Sequence, residues 1–208
     1  RSLLSQFKLP NQYPQFTPVS SMINLGRHTH TVYLKYYNNK SYKPDYDGDA
    51  WNFHLEMFNN QGGGIEIYDN EFYGGDCIID ITGPYANTKG DNDYSFKIYN
   101  NYFTGTPATT YHGKMVVDIE GELNEDIYIY NNYVRGLPVF LNTTDNTYGP
   151  SETRRIYIYY NILENLGWNN ASQYVTCLNI YNSDVASILE DVYIYNNVIE
   201  SDGITHTS

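Results

Sequence analysis

The sequence is short of positive charge. Its 208 residues carry 12 Lys and Arg against 24 Asp and Glu, for a formal net charge of -12. The five arginines (Arg1, Arg27, Arg135, Arg154 and Arg155) form no basic stripe. An acidic surface repels polyanions, which argues against nucleic acid as a partner. A neutral glycan, or an anionic one bridged by a cation, remains compatible with the charge. Cysteine is equally scarce. Cys77 and Cys177 are too few for a disulfide framework, and no cysteine and histidine run has zinc spacing. There is no apolar run long enough to span a bilayer and no signal-peptide pattern, so the expectation is a soluble chain in mature or trimmed form with no membrane span. Alanine and leucine are sparse, whereas 24 Tyr and frequent Asn favour strands and turns over helices. The length suits a single domain with a sizeable core.

What is abundant is one phrase. "IYIYNNYV" at 127 has near copies in "IEIYDNEF" at 65, "FKIYNNYF" at 96, "IYIYYNIL" at 156 and "VYIYNNVI" at 192. With the second asparagine of each phrase as a marker, the series is Asn39, Asn70, Asn101, Asn132, Asn161 and Asn197, at spacings of 31, 31, 31, 29 and 36. Recurrence at this period, with short strands and variable loops, predicts a β-solenoid of about six coils. Residues five and three before each marker are apolar, as in Ile127 and Ile129, and alternation points them inward. The residue two after the marker is apolar again from the second coil on, so the chain turns at the asparagine. Stacked at about 4.8 Å, the marker amides fall directly over one another and form a side-chain ladder.

This pattern resembles the right-handed, single-stranded parallel β-helix of the pectate-lyase-like superfamily, with its asparagine ladder. The resemblance covers roughly residues 30 to 200 and implies an all-β fold; the superfamily spans polysaccharide lyases, glycoside hydrolases, phage tailspikes, adhesins and non-catalytic solenoids. Residues 1–22 lack the repeat and are expected to be a lead-in or cap, with the β-helix over 23–208. The last coil ends without a polar cap, a sticky edge. That end admits a chain truncated at its C-terminus, a partner chain or self-association through the terminal coil, or an unusual cap.

Stacking turns periodicity into columns. The outward position two before each marker is tyrosine in every coil: Tyr37, Tyr68, Tyr99, Tyr130, Tyr159 and Tyr195. The position four before reads Lys35, Glu66, Lys97, Tyr128, Tyr157 and Tyr193, a charge ladder that continues as aromatic. Two readings stand side by side: a self-stacking face that stabilises its sheet, and a platform for sugar rings or a partner, with Tyr128 and Tyr130 as contacts.

A second column lies on another strand of each coil: Glu56 in "HLEMF", Asp80 in "IIDIT", Asp118 in "VVDIE", Asn142 in "FLNTT" and Asn179 in "CLNIY". Three stacked carboxylates repel by roughly 3 kcal/mol per adjacent pair at an effective dielectric near 20. A bound cation, a shared proton or a nearby base such as Lys114 would relieve that repulsion. Carboxyl pairs about 5 Å apart suit retaining glycoside hydrolysis, and wider pairs suit inversion. By resemblance, β-helix polysaccharide hydrolases carry acids on adjacent coils of one sheet, which implies Asp80 and Asp118 as the catalytic pair with Glu56 assisting. Calcium held by Glu56, Asp80 and Asp118, with Lys114 as base, would instead make a lyase. A solvated polar column is the bland alternative.

Asn142 and Asn179 continue this column as substrate-binding candidates, joined by His54 and by His112 in the loop "TGTPATTYHGK". The residues two before the column, His54, Ile78, Val116, Phe140 and Cys177, are mostly apolar and are expected to be covered by loops or to floor a groove. His28 and His30, and the acidic loop "PDYDGDAW", are weaker metal candidates. The sequence-level expectation is an extracellular protein, secreted or at the cell surface, that hydrolyses polysaccharide, with a non-catalytic glycan-binding, adhesin or tailspike-type β-helix as the alternative.

Overall fold

The computed structural model describes residues 23–28, 32–42, 51–58, 63–73, 77–85, 94–104, 115–120, 123–136, 139–144, 152–164, 178–180 and 188–200. The expected lead-in over residues 1–22 lies outside the described residues. Every described element is a β-strand, and among the described residues no helix is long and apolar enough to cross a membrane.

The strands come in threes. The first repeat holds β1 (Ile23–His28), β2 (Val32–Tyr37) and β3 (Lys40–Tyr42); the second holds β4 (Trp51–Phe58), β5 (Gly63–Tyr68) and β6 (Glu71–Tyr73). The third has β7 (Cys77–Tyr85), β8 (Tyr94–Tyr99) and β9 (Tyr102–Thr104), and the fourth β10 (Met115–Glu120), β11 (Leu123–Tyr130) and β12 (Tyr133–Arg135). The fifth has β13 (Val139–Thr144), β14 (Glu152–Tyr159) and β15 (Ile162–Glu164), and the sixth β16 (Leu178–Ile180), β17 (Ile188–Tyr195) and β18 (Val198–Ile199). Each repeat gives one strand to each of three six-stranded parallel sheets, ordered β1-β4-β7-β10-β13-β16, β2-β5-β8-β11-β14-β17 and β3-β6-β9-β12-β15-β18. The chain therefore visits the three sheets in turn, and each strand lies beside its counterpart from the next repeat.

The inward positions form the core. Ile65, Ile67, Phe72, Phe96, Ile98, Phe103, Ile127, Ile129, Val134, Ile156, Ile158 and Leu163 are buried, joined from the first sheet by Ile79, Val117, Ile119 and Leu141. Like residues repeat along the stack, so Phe72 lies on Phe103 with ring centroids 5.1 Å apart and planes 5° from parallel. Each fully buried side chain of this size contributes about 2 kcal/mol through removal of apolar surface from water.

The corner between the second and third sheets explains the doubled asparagine. The residue before each marker (Asn38, Asp69, Asn100, Asn131, Tyr160 and Asn196) has φ between 54° and 57°. Asn and Asp tolerate this left-handed conformation better than other residues with a Cβ. The marker itself then turns inward. Asn70, Asn101, Asn132 and Asn161 are buried, and each Nδ2 donates to the Oδ1 of the next marker at 3.0, 3.0, 3.0 and 2.9 Å. The same Nδ2 groups also donate to the main-chain oxygens of Tyr36, Ile67, Ile98 and Ile129 in the preceding repeat. From Asn70 on, each marker Oδ1 receives, besides, the main-chain N–H of the marker before it, at 3.0 to 3.1 Å. Every amide group in this buried row is satisfied, which is the condition for burying it.

Candidate functional site

The polar column of the first sheet is set by strand register. His54 pairs with Asp80, Asp80 with Asp118, Asp118 with Asn142 and Asn142 with Asn179. Asp118 sits between buried Val117 and Ile119, and Asp80 follows buried Ile79. Paired residues on neighbouring strands are about 4.8 Å apart, so the two aspartates are one strand spacing from each other.

The first member of the expected column is corrected. Glu56 pairs with Thr82 and with Arg27, while His54 takes the place opposite Asp80. A slip of two residues leaves the inward and outward alternation intact, so the hydrophobic pattern of "FHLEMF" could not reveal it. The run of directly stacked acids is thus two, and the register does not stack the three acids that the calcium reading used. His54 leaves the apolar column and joins the polar one. Val116, from that apolar column, is buried, so it is covered at that point. Lys114, His112 and His30 lie outside the described residues, as does most of the acidic loop after Asp45.

The second sheet carries the tyrosines. Tyr37, Tyr68, Tyr99, Tyr130, Tyr159 and Tyr195 form one unbroken stack, with successive ring centroids 5.0, 4.9, 4.9, 4.9 and 5.1 Å apart and planes within 4° of parallel. Beside it, Tyr128 stacks on Tyr157 and Tyr157 on Tyr193, at 4.9 and 5.1 Å. Such pairs contribute about 0.5–1.5 kcal/mol each beyond area burial. Stacking has a chemical consequence. Both faces of Tyr130 are covered by neighbouring rings and one face of Tyr128 is covered by Tyr157, so the column presents ring edges and hydroxyls outward rather than open faces. The lower part of the neighbouring column is ionic as expected, with Lys35 Nζ 3.4 Å from Glu66 Oε2.

Four of the stacked phenols are weaker acids than an ordinary tyrosine. Burial pushes Tyr99 up to about 12, helped by the negative charge of Glu66, which accepts its hydroxyl hydrogen bond at 3.4 Å. Burial also raises Tyr130, Tyr128 and Tyr159, with Glu66 adding to the first and Asp126 to the second. These hydroxyls stay protonated at neutral pH and act as hydrogen-bond donors. On the third sheet Glu71 accepts from Lys40 Nζ and from the Tyr73 hydroxyl, both at 2.7 Å, and these bonds hold its carboxyl below the usual range.

Two ion pairs on the second sheet escaped the sequence reading. Arg155 reaches back to Asp126 with two nitrogens, and Arg154 Nη1 lies 3.7 Å from Glu190 Oε1. Asp126, Arg155 and Asp191 each stand six before a marker, and all three have φ of 54° to 56° in mid-strand. Their common offset was the available signal, and their alternating charge the reason to look for it.

No protein-family model, no curated protein and no solved structure matches this chain.

Proposed function

We propose that the chain is a right-handed parallel β-helix of the pectate-lyase-like kind that acts outside the cell on a polysaccharide, hydrolysing glycosidic bonds with Asp80 and Asp118. The fold reading is supported by three parallel sheets visited in turn, by the asparagine row and by the strong right-handed preference of parallel crossovers. The chemical reading is carried by one observation, the pairing of Asp80 with Asp118 on adjacent strands.

In this reading one of the two aspartates serves as the acid and the other as the carboxylate nucleophile. The protonated member donates to the leaving glycosidic oxygen as the bond from the anomeric carbon breaks. The carboxylate attacks that carbon from the opposite side and forms a glycosyl ester. Water, deprotonated by the first residue, then attacks the ester and restores both groups. A separation of about 5–5.5 Å is the one that favours this double displacement. His54, Asn142 and Asn179 extend the column by one strand spacing at a time, a track for the hydroxyls of neighbouring sugars. Tyr128 and Tyr130 contribute hydroxyls rather than stacking faces to any glycan on the second sheet.

A second reading, a non-catalytic glycan-binding or tailspike-type β-helix, is favoured by the tyrosine stack, whose faces serve one another. A screen of neutral and acidic polysaccharides separates the two. New reducing ends that are insensitive to chelator and lost in Asp118→Asn support hydrolysis. Unsaturated, chelator-sensitive products would replace it with a lyase. Binding without any product would leave the non-catalytic reading.

A further inference from the structure

The outer face of the second sheet carries a charge pattern that is its own complement when reversed. Lys35, Glu66 and Lys97 stand four before the marker in the first three repeats, and Asp126, Arg155 and Asp191 stand six before it in the last three. The first set runs positive, negative, positive; the second runs negative, positive, negative. Asp126 and Arg155 lie on the tyrosine side of the sheet, close enough for both charges to bear on the Tyr128 phenol. Lys97 and Asp191 make no ion pair among the described residues.

The same face meets solvent in the middle of the stack, away from either end. Tyr68, Tyr99, Tyr130 and Tyr159 stay half-buried although neighbouring rings cover both faces of each, so what they expose is a row of edges and hydroxyls. A two-fold axis laid parallel to the strands, between the third and fourth repeats, turns this surface onto itself. The third repeat then lies over the fourth, the second over the fifth and the first over the sixth. Lys97 comes to Asp126, Glu66 to Arg155 and Lys35 to Asp191, so opposite signs meet at every place. Because the axis runs along the strands, each tyrosine column faces itself: Tyr99 meets Tyr130 and Tyr68 meets Tyr159, and a phenol hydroxyl both donates and accepts. Gly64 and Ser95, six before the marker in the second and third repeats, are short where Arg155 and Asp126 arrive. A slip of one repeat would set Lys97 over Arg155 and Glu66 over Asp191, like against like, so the charges also fix the register.

We propose that the tyrosine face of the second sheet is the contact surface of a two-fold dimer, covered by a second copy of this chain with its stack direction reversed. A two-fold contact uses one patch on both copies and closes on itself. Only a partner with the same repeat matches the face at every step, and a second copy has that repeat. Six strands about 4.8 Å apart, each giving three outward positions about 6.7 Å apart, offer roughly 500 Å² per copy. That area is at the low end for specific interfaces, so the dimer forms at micromolar concentration and is not obligate. The first sheet takes no part, so the pairing is independent of the roles proposed for Asp80 and Asp118.

Sedimentation equilibrium of the whole protein between about 1 and 500 µM tests this. The expected result is a monomer–dimer equilibrium within that range, weakened by salt. Glu66→Lys and Arg155→Glu, each verified as folded by circular dichroism, weaken the dimer by about tenfold or more. An equimolar mixture of the two variants recovers it to within about threefold, because each altered charge then meets its opposite. A merely structural role for either residue would not be restored by mixing. Lys97→Glu weakens the dimer as well, and serves as the test where either of the other variants fails to fold. Monomer at every concentration, a dimer indifferent to these changes, a mixture no tighter than its separate parts, or growth beyond the dimer would overturn the proposal.

Discussion

Arg155 holds both carboxylate oxygens of Asp126, Nε to Oδ1 at 2.7 Å and Nη2 to Oδ2 at 2.9 Å, and the two residues share a left-handed backbone with φ of 55° and 56°. The bidentate pair thus bridges adjacent repeats at a bend that neither side chain adopts cheaply. Both groups are partly exposed, so a double-mutant cycle between Arg155→Ala and Asp126→Ala is expected to give a coupling of about 1 kcal/mol that shrinks with salt. Arg155→Gly should cost less than Arg155→Ala by about 1 kcal/mol, because glycine relieves the strained φ while losing the same ion pair. Urea unfolding of the four proteins and the glycine variant measures both numbers.

The asparagine row should be intolerant of interruption. Asn132→Ala leaves the N–H and Nδ2 of Asn101 without their acceptor and the oxygen of Ile98 without its side-chain donor, all in a buried setting. At about 1–3 kcal/mol for each stranded group, the loss of stability should exceed about 3 kcal/mol in equilibrium unfolding.

Tyr160 breaks the corner pattern. Its five counterparts are all Asn or Asp, yet tyrosine holds φ 55° with its ring exposed and edge-on to Tyr159 and Tyr195. Left-handed strain of about 1–2 kcal/mol outweighs such solvent-exposed ring contacts. Tyr160→Asn is therefore expected to raise the thermal midpoint, and a lowered midpoint would show that the ring contacts dominate.

Alkali should unfold the protein through its phenols. Burial lifts Tyr36 to about 12, and burial with Glu66 lifts Tyr99 to about 12, from an ordinary value of 10.0. A group whose pKa is raised in the folded state stabilises fully below the unfolded value and loses that contribution as pH climbs toward the folded one. Stability should hold steady to about pH 10 and fall between about 10 and 12. Phenolate absorbance and urea unfolding across that range test the sign, and Tyr36→Phe should make the fall shallower.

The repeat was legible because a ladder constrains sequence at every level. The marker asparagine, the apolar pair before it and the left-handed residue beside it each have one dominant solution, so the phrase recurs six times and announces parallel strands. The tyrosine stack was legible for the same reason, while the closure of its faces needed the ring separations. Register on the first sheet was not legible between β4 and β7. There the distance to the marker varies, and a two-residue slip preserves the alternation, so His54 stands where Glu56 is expected and Glu56 falls opposite Thr82. Arg155 and Asp126 were hidden because a mid-strand bend leaves no glycine or proline to mark it.

The proposed hydrolysis requires Asp80 and Asp118 to act together across one strand spacing. Its most direct test is the anomeric configuration of the first product, followed by nuclear magnetic resonance on a polysaccharide that the protein cleaves. The pairing predicts retention of configuration, with Asp80→Asn and Asp118→Asn each lowering the rate by roughly 100-fold or more while the fold persists. Inversion, undiminished cleavage in either variant, or folded protein that cleaves no polysaccharide would contradict it.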